Sequence, residues 1–384
     1  MSLRMELLIG YACGQECAFC MESDRMEEFA AAPLSIAEIV RALAVQRRRG
    51  VESVSFCGSG EPTFHPRLAD ALKAAKTLGY ETELISNGSR LAEPEHARRL
   101  LPWVDRLWLS LHGDDAASHD RLTRRPGSFA KLRRAFAAAR AGKGPRLGSV
   151  TVVTRENRDR VAAIARLALE EGAREVQLTQ VVPMGRAEKD YARLAVPYSW
   201  WRENVPALAE LARRHGARLS CAGVPLCALG EHWPLSREKD LALTVSVDRT
   251  RSGGRPALRT EELLPRAEAA STRVKPEACA ACLRREECIG VPRPHLAAFG
   301  EGDLAAFGGG AARTETHAQS GGVERILSVN HACNQRCPFC FIPGDGWKAE
   351  LGEIERELDR LAPELAGGGA LTLSGGEPLA HPRL

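Results

Sequence analysis

Met5-Glu6-Leu7-Leu8-Ile9-Gly10-Tyr11-Ala12-Cys13-Gly14-Gln15-Glu16-Cys17-Ala18-Phe19-Cys20 is the stretch from which the fold is read. The apolar run over 5–10 predicts a β-strand, and just past its end stand three cysteines at x3 and x2 spacing, Cys13, Cys17 and Cys20. Thiolates crowded in this way can hold three corners of an iron–sulfur cube, which leaves one iron without a protein ligand. An open metal position can take a substrate or cofactor, so the spacing points to catalysis more than to structure. A zinc site also uses clustered cysteines but needs a fourth ligand to close its tetrahedron. No Cys or His follows nearby, and Cys57 could approach only through space.

Outward from that strand, short apolar runs alternate with helical patterns. Further strands are predicted at 52–57, 82–86, 105–111, 148–154 and 175–182, with helices near 35–49, 66–78, 94–101, 128–141 and 158–171. Ser35 and Glu38 form a capping box, Gly50 follows the last turn, and Ile36, Ile39, Val40 and Leu43 make one apolar face. Six β–α units in series predict an α/β fold with a parallel sheet, a partial (β/α)6 TIM-like barrel over 1–195. In such sheets ligands gather at the C-terminal strand ends, where the first cysteines lie. Residues 196–300 break the alternation with a Trp-rich helix near 198–214, a hairpin near 241–259 and more cysteines, and are read as a small appended domain. Gly308-Gly309-Gly310 and Gly321-Gly322 mark 301–322 as a Gly/Ala-rich linker.

Residues 323–384 then restart the pattern: a strand at 324–330, Cys333, Cys337 and Cys340, a helix at 351–365, a strand at 370–374 and Gly375-Gly376-Glu377-Pro378. One β-α-β unit is too small to bury a full core, so it is expected to be the truncated start of a second module.

Composition bounds the alternatives. The 384 residues are 44% hydrophobic and 27% charged, as in an ordinary globular protein. A net charge of +4 carried by scattered arginines argues for neither a nucleic-acid nor a membrane partner. No apolar run reaches the length of a membrane span, and no signal-peptide core precedes Cys13. Twelve cysteines clustered at metal-ligand spacings in a large chain suit a reducing cytoplasm.

Each predicted strand end carries its own motif. Gly58-Ser59-Gly60-Glu61-Pro62 follows the second strand, Ile85-Ser86-Asn87-Gly88 the third, Ser110-Leu111-His112-Gly113 the fourth, and Val182-Pro183-Met184-Gly185-Arg186 the sixth. Pro126-Gly127-Ser128-Phe129 precedes a helix. With the cysteine triad and Phe19, this ordered set resembles a radical S-adenosylmethionine (SAM) enzyme over roughly the first 290 residues. The resemblance implies that Cys13, Cys17 and Cys20 hold a 4Fe-4S cluster whose free iron is chelated by the amino and carboxylate groups of SAM. It implies further SAM contacts from Gly58, Ser59, Gly60, Glu61 and Pro62, from Ser86, Asn87 and Ser110, and from Phe19 and Val182 at the adenine. Ser59 stands where the family often has glycine, and Glu61 has an alternative role in capping its turn. Cys57 reads as a small core residue. Arg121, Arg124, Arg125 and Arg186 read either as solvated surface or as holders of an anionic group.

Cys279-x2-Cys282-x5-Cys288, with Gly223-Val224-Pro225-Leu226-Cys227 upstream, resembles the twitch/SPASM-like auxiliary domain of such enzymes. That resemblance implies an auxiliary 4Fe-4S cluster on Cys227, Cys279, Cys282 and Cys288, with Cys221 competing with Cys227 and a four-cysteine zinc site as the alternative. The implied activity is reductive cleavage of SAM to a 5′-deoxyadenosyl radical that abstracts hydrogen from substrate, with a flavodoxin or ferredoxin as reductant. A peptide- or protein-modifying maturase is the leading reading. Small-molecule or cofactor biosynthesis stays open, since only four residues precede the first strand and no leader-binding domain is expected there. A non-catalytic Fe–S electron carrier would not need the SAM-binding stretches. Cys333, Cys337 and Cys340 are expected to assemble a cluster without retaining SAM.

Overall fold

The computed structural model describes residues 3–141, 144–238, 244–263, 273–307, 313–319, 322–330, 348–365 and 370–375. The chain divides into two compact units, 1–277 with 287–305 and 278–286 with 306–384.

In the first unit β1 (Leu3–Leu8), β2 (Val51–Cys57), β3 (Glu81–Ser86), β4 (Arg106–Ser110), β5 (Arg146–Val153) and β6 (Glu175–Gln180) are parallel neighbours in sequence order. The helices α2 (Ile36–Arg48), α3 (Leu68–Thr77), α4 (Pro94–Leu100), α6 (Ser128–Arg140) and α7 (Val161–Glu170) connect them, as the alternation predicts. Two short helices escape that reading: α1 (Ser23–Phe29), directly behind Cys20, and α5 (Ala116–Thr123), whose N-terminus is capped by the Asp115 carboxylate accepting from Ser118 N at 2.7 Å. Each spans too few turns to show an apolar stripe.

The sheet continues past the six expected strands. β7 (Arg218–Ala222) extends it beside β6, β8 (Thr244–Ser252) pairs parallel with β1, and β9 (Arg255–Leu263) returns antiparallel, giving the order β7-β6-β5-β4-β3-β2-β1-β8-β9, while the short β10 (Arg273–Val274) and β11 (Val291–Pro292) pair with each other. The stretch read as the opening of a separate domain is thus continuous with the barrel sheet. After the short helices α8 (Arg186–Lys189) and α9 (Tyr191–Leu194), Leu219 and Cys221 of β7 join Val176 and Leu178 of β6 in one apolar cluster with Val205 and Leu208 of α10 (Tyr198–Arg214).

Strand alternation sorts the side chains. Met5, Leu7 and Ile9 are fully buried against the helices with Val54, Phe56, Leu84, Leu107 and Leu109. Each such side chain contributes about 1.5–3 kcal/mol by burial. The alternate positions, including Arg4, Glu6, Ser55, Cys57, Glu83, Trp108 and Ser110, face the barrel interior. There Glu83 accepts from Arg4 Nη2 at 3.2 Å and from Trp108 Nε1 at 2.8 Å. The capping box of α2 forms as expected, with Glu38 N donating to Ser35 Oγ and Ser35 N to the Glu38 carboxylate. Its buried face is Ile39, Ala42, Leu43 and Gln46, while Val40 is 39% exposed, because the helix turns a narrower stripe inward than its sequence suggests.

The second unit has β12 (Arg313–Gln319) antiparallel to β13 (Gly322–Asn330), β14 (Ala370–Gly375) parallel to β13, and the helix Leu351–Leu365. Leu327, Val329, Ala349 and Ile354 form its small core. β12 lies inside the stretch 301–322 expected to be a linker, a correction to that reading. Thr314 and Thr316 are β-branched residues suited to a strand, which the flanking glycines concealed.

Candidate active site

β1 ends at Leu8, and the chain runs through Gly10 and Ala12 into the cysteine loop. Backbone contacts from three later segments fix that loop. Gly60 N donates to Gly10 O at 3.0 Å and Glu61 N to Ala12 O at 2.8 Å. Glu16 N and Ala18 N donate to Thr123 O and Leu122 O at the end of α5. Arg186 closes the third side: its N donates to Cys20 O at 3.0 Å and its Nη1 to Cys17 O at 2.9 Å. Arg186 is therefore a brace on the cysteine loop and neither solvated surface nor a free anion-holder.

The glycines after β2 serve this close packing. A Cβ on Gly60 would sit 2.4 Å from Ala12 O and 2.6 Å from the Tyr11 carbonyl carbon, and one on Gly58 would sit 2.8 Å from Gly60 O. Those distances forbid a side chain at either position. Gly185, at φ +58°, lets the backbone pass 2.9 Å from Cys20 O, measured from its would-be Cβ.

Around the loop lies a cleft of about 300 Å³, at the lower end of the usual ligand-pocket range. Cys13, Cys17 and Cys20 line it, and so do Phe19, Gly58, Ser59, Gly60, Glu61, Ser86, Asn87, Ser110 and Val182. Pro62 stands apart, buried at the start of the 3-10 turn Pro62–Phe64. Cys57 lines the same cleft, which corrects its reading as a core residue; Val54 and Phe56 take the core face of β2 and leave Cys57 on the other.

Glu61 is the knot of the site. Its buried carboxylate accepts from Thr63 N at 3.1 Å, Thr63 Oγ1 at 2.5 Å, Ser86 Oγ at 2.8 Å and Asn87 N at 2.7 Å. It caps its own turn and also ties the end of β2 to the end of β3. Burial pushes its pKa above the usual carboxylate value, against the lowering effect of those bonds. Asn87 in turn donates Nδ2 toward Cys13 Sγ at 3.6 Å, and Gln15 N donates to the same sulfur at 3.4 Å.

His112 after β4 was not singled out by sequence reasoning. It lines the cleft and meets Phe19 edge-on, with ring centroids 4.6 Å apart. Val152 N donates to its Nδ1 at 3.3 Å, so the neutral ring carries its proton on Nε2. Burial, with His119 adding repulsion, holds its pKa well below the ordinary histidine value.

The thiols suit an iron–sulfur group by two observations. All nine described cysteines are free, so the triad's sulfurs are available as ligands. Burial pushes Cys13 up to about 11 and Cys17 up to about 12, and Arg186 offsets this only in part and only at Cys17, so thiolates at the two positions need a further positive partner. Ser59 Oγ, buried in the cleft between the two glycines, has no hydrogen-bond partner among the described residues. Among the described residues no three His, Cys, Asp or Glu side chains converge as a single metal ion would require.

The other cysteines are placed as follows. Cys221 is wholly buried in the apolar cluster of β6 and β7, and Cys227 is buried in the turn Leu226–Ala228. Cys279 and Cys282 share a tight turn in which Cys282 N donates to Cys279 O at 3.2 Å. Cys227 and Cys288 belong to the first unit and Cys279 and Cys282 to the second. Cys333, Cys337 and Cys340 lie outside the described residues, as do Gly376, Glu377 and Pro378.

A parallel α/β sheet with a three-cysteine loop at the end of its first strand, braced by glycine-rich and polar loops from the strands beside it, defines a cofactor-dependent barrel enzyme. The Radical SAM superfamily model matches residues 7–194 and again 327–384, and the chain belongs to that superfamily. A PqqA peptide cyclase of Xanthomonas campestris pv. campestris is 29% identical over 171 residues, covering 44% of this chain and 45% of the relative. The chain thus matches less than half the length of that curated relative. The crystal structure of Streptococcus suis SuiB bound to precursor peptide SuiA superposes with a TM-score of 0.48 at 19% identity, over 61% of this chain and 51% of that one. Native anSMEcpe with bound AdoMet and Kp18Cys peptide gives 0.46 at 16%, over 57% and 63%. Radical SAM proteins use a 4Fe-4S cluster and SAM.

Proposed function

We propose that the first unit cleaves SAM reductively and uses the resulting radical on a peptide. Cys13, Cys17 and Cys20 would hold a 4Fe-4S cluster, which with SAM bound would pass on the reductant's electron for reductive cleavage of the sulfonium, the source of the radical chemistry on substrate. The observation that carries this reading is the shared cleft: the three thiols and the loops after β2, β3, β4 and β6 face one space. The backbone at Gly58–Gly60, and the Ser59 hydroxyl that has no partner among the described residues, would meet the methionine end of SAM. Ser86, Asn87 and Ser110 offer polar contacts for the ribose, and Phe19 and Val182 apolar cover for the adenine. Glu61 positions two of these loops and keeps its oxygens for that task. Arg186, by fixing the carbonyls of Cys17 and Cys20, holds the thiols to their spacing.

The peptide part rests on the 171-residue likeness to a PqqA peptide cyclase. A flavodoxin- or ferredoxin-type reductant goes with one-electron cleavage of SAM, and free cysteines clustered at metal-ligand spacings suit a cytoplasmic setting. Among the described residues no helix is long and apolar enough to cross a membrane. The Cys279-x2-Cys282-x5-Cys288 spacing supports a further iron–sulfur site, which iron counting of the reconstituted chain tests.

The experiment for the main reading is anaerobic reconstitution with iron and sulfide, followed by dithionite and SAM. Formation of 5′-deoxyadenosine is expected, and its absence from a protein that has taken up iron sinks the proposal. Deuterium appearing in 5′-deoxyadenosine from labelled peptides, and not from small metabolites, separates the peptide reading from small-molecule biosynthesis.

A further inference from the structure

We propose that Asp248 of β8 is a positioning residue for the cysteine loop: one buried carboxylate that fastens both of its shoulders. This rests on Cys13, Cys17 and Cys20 being the working ligands. Tyr11, two positions before Cys13, donates its hydroxyl to Asp248 Oδ1 at 2.6 Å. Arg25, five positions after Cys20, makes a short ion pair from Nη2 to Asp248 Oδ2. Asp248 is 5% exposed, so water competes poorly for either bond.

The arrangement is doubly locked. Arg249 N donates to Asp248 Oδ1 at 2.6 Å and to the Tyr11 hydroxyl at 3.0 Å, while Arg25 Nη2 also reaches Arg249 O at 2.6 Å. Arg259 of β9 approaches Asp248 from the far side, with Nη2 3.8 Å from Oδ2. Stacking fixes the same two shoulders, since Phe29 packs its ring against Tyr11 at 5.3 Å and under the Arg25 guanidinium at 5.4 Å. β8 is held beside β1 by a parallel ladder that runs from Arg4↔Thr244 to Leu7↔Val247 and delivers Asp248 just beyond its end. A loop whose two ends are pinned to one rigid strand cannot open or close its thiol spacing without breaking a buried bond.

The hairpin has other anchors that do not use Asp248, and these provide the control; because Arg251 also lies over the Phe29 ring at 5.5 Å, the control cuts its ion pair from the Glu28 side. Arg251 Nε binds Glu28 at 2.7 Å on α1, and Arg249 binds Glu38 at 2.6 and 2.8 Å on α2. If the hairpin served only as general cladding, cutting Arg251–Glu28 would matter as much as cutting Asp248.

The test compares Asp248→Asn, Tyr11→Phe, Arg25→Lys and Glu28→Ala in the full chain, by two readouts. The first is amide exchange of residues 12–24 in the metal-free protein. It is expected to quicken by about tenfold or more in Asp248→Asn, by less in each single-shoulder variant, and not in Glu28→Ala. The second is the EPR spectrum of the reduced, reconstituted protein and its change on adding SAM. Broadening of that signal and loss of the SAM-induced change are expected for Asp248→Asn, with Glu28→Ala matching the parent. Equal behaviour of Asp248→Asn and Glu28→Ala, whether both unchanged or both impaired, overturns the proposal. Should Asp248→Asn not fold, Tyr11→Phe and Arg25→Lys decide it, since loop exchange and EPR like the parent's in both overturn it too. These readouts survive failure of the peptide reading, because none uses a peptide.

Discussion

The two units begin with the same grammar and build different things from it. β1 and β2 pair in parallel with Leu8 opposite Cys57, as β13 and β14 do with Asn330 opposite Gly375. Each first strand also gains a neighbour on its other side, but β8 runs parallel to β1 while β12 runs antiparallel to β13. In the first unit the sheet goes on through β3 to β7, and its strands, the loops at their ends and α1 supply the described residues lining the cleft around the cysteines, all between positions 13 and 182. A cysteine spacing with its glycine loop is therefore a local device. The site is collective, because the thiols are braced by α5, the β2 and β3 loops and Arg186, and no two of these adjoin in sequence.

The sharpest break of the comparison is to delete each triad in turn. Replacing Cys13, Cys17 and Cys20 by alanine is expected to abolish SAM-dependent 5′-deoxyadenosine formation, a loss of about a thousandfold or more, since catalysis by the bound group vanishes with its ligands. Replacing Cys333, Cys337 and Cys340 is expected to leave the rate within about twofold, because none of the described residues lining the first cleft lies beyond Val182. An equal loss from both deletions would show that the units work as one.

Glu61 is the next lever. Glu61→Ala leaves the buried donors of Thr63, Ser86 and Asn87 without an acceptor, which costs about 2–4 kcal/mol and frees the β3 loop from the β2 loop. SAM affinity, measured by equilibrium dialysis, is expected to fall about tenfold or more. Glu61→Gln keeps one oxygen for Thr63 and Ser86 but turns an N–H toward Asn87 N, so a smaller loss is expected. Glu377→Ala at the second copy is expected to leave SAM binding by the first unit unchanged.

A smaller effect comes from the glycines. Gly60→Ala places a methyl 2.4 Å from Ala12 O and pushes the cysteine loop from its seat. A cost of about 1–3 kcal/mol in stability is expected, read as a lower denaturant midpoint, with faster loss of iron. Gly127→Ala, where the open backbone at φ +78° has nothing within 4 Å of the added methyl, is expected to show only the strain of its left-handed conformation and no effect on iron.

Much of the first unit was legible because its signals are periodic. Strand and helix alternation placed β1 to β6 and five helices, and the strand-end motifs named most of the cleft. What stayed hidden depends on distance across the fold. Nothing near Asp248 in sequence says that it binds Tyr11 and Arg25, more than 220 positions away. His112 was visible only as part of a turn motif, and Cys57 was misread because strand alternation was not followed through from Phe56 to the barrel interior. Arg4 and Glu6, charged residues alternating with buried Met5 and Leu7, could have been assigned to the interior on that rule alone. In the second unit β12 was lost among glycines, where composition spoke more loudly than the two alternating threonines.

The smallest expected effect concerns acid, and it separates the units without any cofactor. His119 is fully buried behind His112, with ring centroids 5.8 Å apart. Its Nδ1 accepts from His112 N at 3.2 Å, and its Nε2 has no partner among the described residues. Burial depresses its pKa from 6.5 to about 4. The unfolded chain therefore binds a proton that the folded unit refuses. The neutral ring's stability is complete above about pH 6.5, falls as pH drops toward 4, and is gone below it. The loss amounts to about 3 kcal/mol at most for this residue. Glu61 works in the opposite sense, since burial raises its folded pKa and protonation there favours the folded state, so the histidine's share must be isolated by difference. His119→Asn keeps an acceptor for His112 N and cannot be charged. Its amide exchange over β4 and α5, corrected for intrinsic rate, is expected to vary less between pH 7 and pH 4.5 than the parent's. The helix Leu351–Leu365, packed on the apolar Leu327, Val329 and Ala349, is expected to respond alike in both proteins. A parent whose β4 and α5 exchange is flat across that range would remove His119 from the account of why the first unit is the acid-sensitive one.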